Sequence, residues 1–196
     1  MTTNKTNCKV VNMKMPTTWK RALNAARKTV GKKPLDKEPS DTWKAKMLLA
    51  EHSPIRLVEY EWDYEQIKQW VTVHLIRHWL GFIPFVHSQR EDRRKLDVPR
   101  DELPQGSEND MTCAANAQSL INISRKRLCN TASTETREAW NKVRDAIREV
   151  DPVMADKMVR NCVYRGFCPE MECCGYVNTE KFKKELEEYR NVEYSK

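Results

Sequence analysis

The chain has 196 residues and a formal charge of +7, from 35 Lys and Arg against 28 Asp and Glu, with 39% hydrophobic residues, which suffices for one sizeable core but not two full domains. No apolar run approaches the roughly 18 residues of a membrane span, and the N-terminus lacks a signal-peptide core, so a cytoplasmic protein is expected, its seven cysteines read as thiols rather than disulfides. Five glycines and the absence of both GxGxxG and the P-loop pattern exclude the two commonest nucleotide-binding folds.

In chain order, residues 1–15 read as poorly ordered, 16–30 as a basic amphipathic helix ending near Gly31, and 32–39 as a linker. Ser40 or Asp41 suits the cap of a helix carrying Trp43, Met47, Leu48 and Leu49. The pattern from Ile55 to Trp62 predicts a strand. Asp63 with Gln66 matches a capping box, and Ile67, Trp70, Val71, His74, Leu75 and His78 share a helical face, predicting a helix over 64–78. Residues 82–87 predict a short strand and 88–109 a long loop of the functional or mobile kind. A helix is predicted from Asp110 to Cys129, and another, capped by Ser133 or Thr134, with Trp140, Val143 and Ile147 inward. A short helix opening at Pro152, a cysteine-rich turn region over 161–177 and a charged helix capped by Thr179 complete the chain. The order implies an α+β fold, a small, mostly antiparallel sheet covered by long helices.

Acid and base are interleaved over most of the chain, so most lysines read as solvated surface. The denser clusters are Arg90, Arg93, Arg94 and Lys95, and Arg125, Lys126 and Arg127. Guanidinium groups grip phosphate with two parallel bonds, so these suit a small phosphorylated ligand at least as well as a duplex. Arg127, near a helix C-terminus, has a bland role beside the helix dipole. Arg137 falls in a first turn, where a cation is unfavourable, and an anion or carboxylate partner would account for it. His74 and His78 have metal-ligand spacing, but two satisfied interior histidines are the simpler reading without an HExxH carboxylate. Ser88 alone reads as a turn or cap residue.

Taken in order, Arg77-His78-Trp79, eight residues, then Ser88-Gln89-Arg90 resemble the signature of the flavin-dependent thymidylate synthase family, which is Arg-His-Arg, seven or eight residues, then Ser-x-Arg. Glu51-His52, Leu103-Pro104, Asn116-Ala117-Gln118-Ser119-Leu120, Lys126-Arg127 and Glu135-Thr136-Arg137 echo further family segments in order. Cys162, Gly166-Phe167-Cys168-Pro169-Glu170 and Cys174-Gly175 resemble a stretch that closes some members. The resemblance spans about residues 45–177. It implies a family-type catalytic domain over 40–177, an N-terminal extension (basic helix and linker) over 1–39 and a charged C-terminal helix over 178–196.

The resemblance also implies FAD as cofactor, NADPH and methylenetetrahydrofolate as co-substrates, and transfer of a one-carbon unit to C5 of deoxyuridine monophosphate. The flavin and folate carry the chemistry while the protein supplies placement and electrostatics. The partner is then a pyrimidine nucleoside monophosphate, in a homotetramer with shared active sites, with no membrane and no nucleic acid. By the same resemblance, flavin binding falls to Arg77, His78, Trp79, Arg127 and His52. Nucleotide binding falls to His74, Ser88, Gln89, Arg90 and Arg137, with Ser88 and Arg137 nearest catalysis.

Trp79 stands where the family has Arg, His74 where it usually has Gln near the pyrimidine, Phe85 and Val86 where Asn and an acid or amide are common, and Glu91 where Tyr is common. These changes gather around base and flavin, so base specificity or outcome is open: the alternative is another flavin- and folate-dependent C5 modification, methyl or hydroxymethyl, of a different pyrimidine nucleotide. A non-catalytic nucleic-acid-binding protein is the rival outside enzymes. No metal is expected. Cys162, Cys168, Cys173 and Cys174 lie within thirteen residues, without paired CxxC spacing, and read as thiols with structural zinc as the lesser alternative. Cys113 and Cys129 read as packing residues.

Overall fold

The computed structural model describes residues 7–93 and 98–191. The four strands β1 (Lys9–Lys14), β2 (Glu59–Lys68), β3 (Phe82–Val86) and β4 (Glu108–Asn116) form one antiparallel sheet in the order β1-β2-β4-β3. The helices are α1 (Trp19–Thr29), α2 (Asp41–Leu49), α3 (Gln69–Ile76), α4 (Ala117–Arg127), α5 (Thr134–Val150), α6 (Pro152–Lys157), α7 (Asn161–Arg165) and α8 (Glu180–Arg190). The fold is therefore α+β, as the element order implies.

Alternation builds the sheet's inner face. Tyr60, Trp62 and Tyr64 on β2, Asn109, Met111, Cys113 and Ala115 on β4, and Phe82 on β3 are buried, whereas the intervening Glu59, Asp110, Thr112, Ile83 and Phe85 point outward. Trp62 is the hub: its ring lies 6.2 Å from Tyr64, 6.0 Å from Phe82 and 6.1 Å from Trp140 of α5. A second anchor is Asp151, which is 4% exposed. Its carboxylate accepts from Trp19 Nε1 at 2.6 Å, Tyr60 Oη at 2.7 Å and the Met154 amide at 3.1 Å. Sheet, N-terminal helix and α6 are tied at one buried acceptor, and the donors it satisfies would be costly to leave unpaired.

Several expectations change. Part of the segment expected to lack structure, 9–14, is the edge strand β1, which pairs with β2, and residues 1–6 lie outside the described residues. The segment from Ser53 to Leu57 is a 3-10 helix, so the strand begins only at Glu59. Asp63 and Gln66 cap no helix: β2 runs on to Lys68, because Asp63 accepts from Asn12 Nδ2 and Thr112 Oγ1. A bulge at Gln66 (φ 56°) resets the alternation so that Ile67 still turns inward. The segment beginning at Asp110 is strand as far as Asn116, and Asn116 is the cap of α4, accepting from the Ser119 amide. Helix α7 opens the segment read as a cysteine-rich turn region, while the remaining helices stand close to their sequence positions, Ser40 rather than Asp41 capping α2 and Thr179 capping α8.

Candidate active site

Helix α3 lies between β2 and β3 in sequence and delivers the histidines. Its buried Val71 and Leu75 pin one face to the core, which turns His74 and the following Arg77-His78 toward the end of α4. Gly81 (φ 72°) then reverses the chain into β3, passing so close to Asn116 that a Cβ would stand 2.5 Å from its side-chain nitrogen. Glycine is thus required both by backbone conformation and by space.

Arg127, in the last turn of α4, locks this corner. Its Nε donates to His78 Nε2 at 2.8 Å and an Nη donates to the His74 carbonyl at 2.5 Å. The bond into Nε2 leaves the His78 proton on Nδ1. Burial, then the charges of Arg127 and Arg77, hold the His78 imidazole down to about 4, so it is neutral at physiological pH. The same three influences, burial first, lower His74. Burial and the nearby Arg77 also lower Arg127.

The N-terminus of α5 closes the third side. Ser133 Oγ donates to Thr136 Oγ1 at 2.8 Å, and Thr136 Oγ1 lies 3.0 Å from His74 Nδ1. Arg137 follows, donating to the carbonyls of Asn130 at 3.1 Å and Ala132 at 3.4 Å. These carbonyls, rather than a carboxylate, explain a cation in a first turn. Among the described residues no carboxylate pairs with Arg77, Arg127 or Arg137. Guanidinium groups, two neutral imidazoles and no counter-anion make a corner suited to a phosphorylated, hydrogen-bonding ligand.

The other sequence-selected residues stand apart from this corner. Trp79 is 74% exposed beside it. Ser88, Gln89 and Arg90 leave the far end of β3, about 16 Å along a five-residue strand. There Ser88 Oγ accepts from the Arg90 amide, and Arg90 closes on Asp92 with bonds of 2.8 and 2.7 Å. Asn109 anchors that end to α3, donating to the His87 carbonyl and Gln69 Oε1. Arg93 is exposed, and Arg94 and Lys95 lie outside the described residues. His52 is exposed and lines a shallow depression of about 420 Å³ with Trp43, Lys46 and Met47, while its neighbour Glu51 pairs with Arg125 and Gln118. Cys129, Cys162, Cys168, Cys173 and Cys174 line one small pocket, yet among the described residues no three His, Cys, Asp or Glu side chains are arranged to hold a metal ion.

Thr136 and Ser133 were not selected from the sequence as site residues. Ser133 reads as a helix cap and Thr136 as the middle of a Glu-Thr-Arg triplet, and only the packing of α5 against α3 brings them to His74.

Residues 91–153 match the model of the thymidylate synthase complementing protein family. No curated protein sequence matches the chain. Among solved structures, the flavin-dependent thymidylate synthase ThyX of Helicobacter pylori, complexed with FAD and dUMP, aligns with a TM-score of 0.61 at 14% identity, covering 78% of this chain and all of that one. The UMP/dUMP methylase PolB of Streptomyces cacaoi, bound with 5-Br dUMP, aligns with a TM-score of 0.59 at 12% identity, covering 82% and 95%. The matched segment contains Arg127, Thr136 and Arg137, and it sits within a fold shared with both enzymes. The chain thus shares the fold of these flavin-dependent thymidylate synthases, and about a third of it, residues 91–153, matches the family model.

Proposed function

We propose that the protein is a flavin-dependent enzyme that transfers a one-carbon unit from methylenetetrahydrofolate to C5 of deoxyuridine monophosphate, with NADPH as reductant. The observation that carries this reading is the corner where Arg77, His78 and Arg127 meet with no counter-anion among the described residues, Arg137 following in the adjoining first turn of α5. That corner fits the pyrophosphate of a dinucleotide cofactor, which guanidinium groups grip in pairs. In this reading Arg77 and Arg127 hold the FAD phosphates, His78 donates from Nδ1, and Arg137 releases its backbone carbonyls to take a nucleotide phosphate. The flavin, when bound, supplies the redox chemistry, and the chain supplies binding, orientation and exclusion of water.

Ser88, Gln89 and Arg90 open from the opposite end of β3, so they serve a corner supplied by another subunit. A homotetramer with shared active sites fits that geometry, as do the exposed Ile83 and Phe85 on the outer face of β3.

The test is direct. The purified protein carries a flavin absorbance near ~450 nm and converts labelled dUMP, with methylenetetrahydrofolate and NADPH, to a C5-modified product, UMP being assayed beside it. Arg77 is exposed and bonds to no described residue, so Arg77→Ala leaves the fold intact and weakens flavin binding by roughly tenfold to a hundredfold, the worth of a charge-assisted hydrogen bond. A colourless protein that gains no flavin on reconstitution overturns the reading.

A further inference from the structure

His74 makes one polar side-chain contact among the described residues, through Nδ1 to Thr136. Its ring is held from a second direction by Trp70, edge-on with centroids 5.3 Å apart, and its own carbonyl is fixed by Arg127. Thr136 is fully buried, so water does not compete for its hydroxyl. That oxygen accepts from Ser133 Oγ, so its own proton is available to His74 Nδ1, and a relay running Ser133 to Thr136 to His74 uses it there. An imidazole that accepts at Nδ1 carries its proton on Nε2. The nearby guanidinium charges of Arg127 and Arg77 oppose a second proton.

Resting on the proposed pyrimidine-nucleotide site, we propose that Ser133 and Thr136 are positioning residues that fix His74 as a neutral Nε2–H donor, and that this donor reads a carbonyl oxygen on the base edge. A donor fixed at the 4-position favours uracil-type bases, which carry a carbonyl there, over cytosine-type bases, which carry an amino group. An amide side chain at this position would offer a donor and an acceptor together. The imidazole held by Thr136 offers the donor alone, so the relay narrows the choice of base.

The experiment uses the purified full-length protein. Histidine ring nitrogens are labelled, His74 is assigned by the signal lost in His74→Gln, and its tautomer is read by NMR at neutral pH. The expected spectrum is that of the Nε2–H form. Thr136→Val keeps the shape without the hydroxyl and gives a tautomer mixture, and Thr136→Ser restores the single form. Affinities for dUMP and dCMP are measured on the same variants. The preference for dUMP falls about tenfold in Thr136→Val, as for one lost directional hydrogen bond, and returns in Thr136→Ser. An Nδ1–H form in the unsubstituted protein, or a Thr136→Val variant with unchanged tautomer and unchanged preference, overturns the proposal. If neither nucleotide binds, both the base reading and the pyrimidine site fall, and the tautomer spectrum separates that result from failure of the relay alone.

Discussion

At the scale of single residues, two polar groups carry consequences that can be measured. His78 is held down to about 4 in the folded chain, against roughly 6.5 when unfolded. The unfolded state therefore binds more protons between those values, and stability contributed by the neutral ring is present above pH 6.5 and lost as pH falls toward 4. Discounted for partial exposure, the loss is on the order of 1–3 kcal/mol. Urea midpoints for the protein and for His78→Gln, compared from pH 7 to pH 4, are expected to converge as the pH drops. Asp151 is the other case. Asp151→Ala strands the Trp19 indole, the Tyr60 hydroxyl and the Met154 amide. With about 1–3 kcal/mol for each buried unpaired group, the variant is expected to lose about 3 kcal/mol or more in chemical denaturation.

At the scale of elements, the corner is made by three helix ends, and its accuracy depends on the turn between α3 and β3. Gly81→Ala forces a side chain into a left-handed backbone and against Asn116. The conformational part alone costs about 1–2 kcal/mol. Because Asn116 caps α4, the strain reaches the helix that carries Arg127. Urea denaturation is expected to show the loss, and flavin affinity should fall with it, although no flavin contact is assigned to Gly81. Elements are also where sequence and structure part. Tyr60, Trp62 and Tyr64 alternate, but the chain beyond them reads equally as a helix face until Asn12, Thr112 and Asp110 hold it in the sheet. Met111, Cys113 and Ala115 are another period-two set, masked by Ala114 and Ala117, which also fit a helix. Cross-strand pairing decided both cases, and no local propensity reports it.

At the scale of the whole molecule, helices cover one face of the sheet and leave the other open. Glu59, Glu61 and Asp63 lie on that face, with Ile83 55% and Phe85 65% exposed at its β3 edge. The tetramer proposed above would cover these apolar groups. Light scattering is expected to give about four times the 23.1 kDa chain mass, and Phe85→Glu to reduce it. A monomer of unchanged mass in both would remove the shared-site part of the proposed function. Among the described residues no helix is long and apolar enough to cross a membrane.

The sequence by itself determined the α+β class, the cap at Thr179, the buried face of α5, and the order of motifs that resembles the flavin-dependent thymidylate synthases. These rest on local spacing and on side-chain chemistry that a linear reading preserves. Only the tertiary structure decided that β1 belongs to the sheet, that β4 precedes α4, and that Arg77, His74, His78, Arg127 and Thr136 meet at one corner while Ser88 and Arg90 do not. His74 and Thr136 are 62 residues apart along the chain, and such a contact exists only because the core orients α3 and α5 against each other.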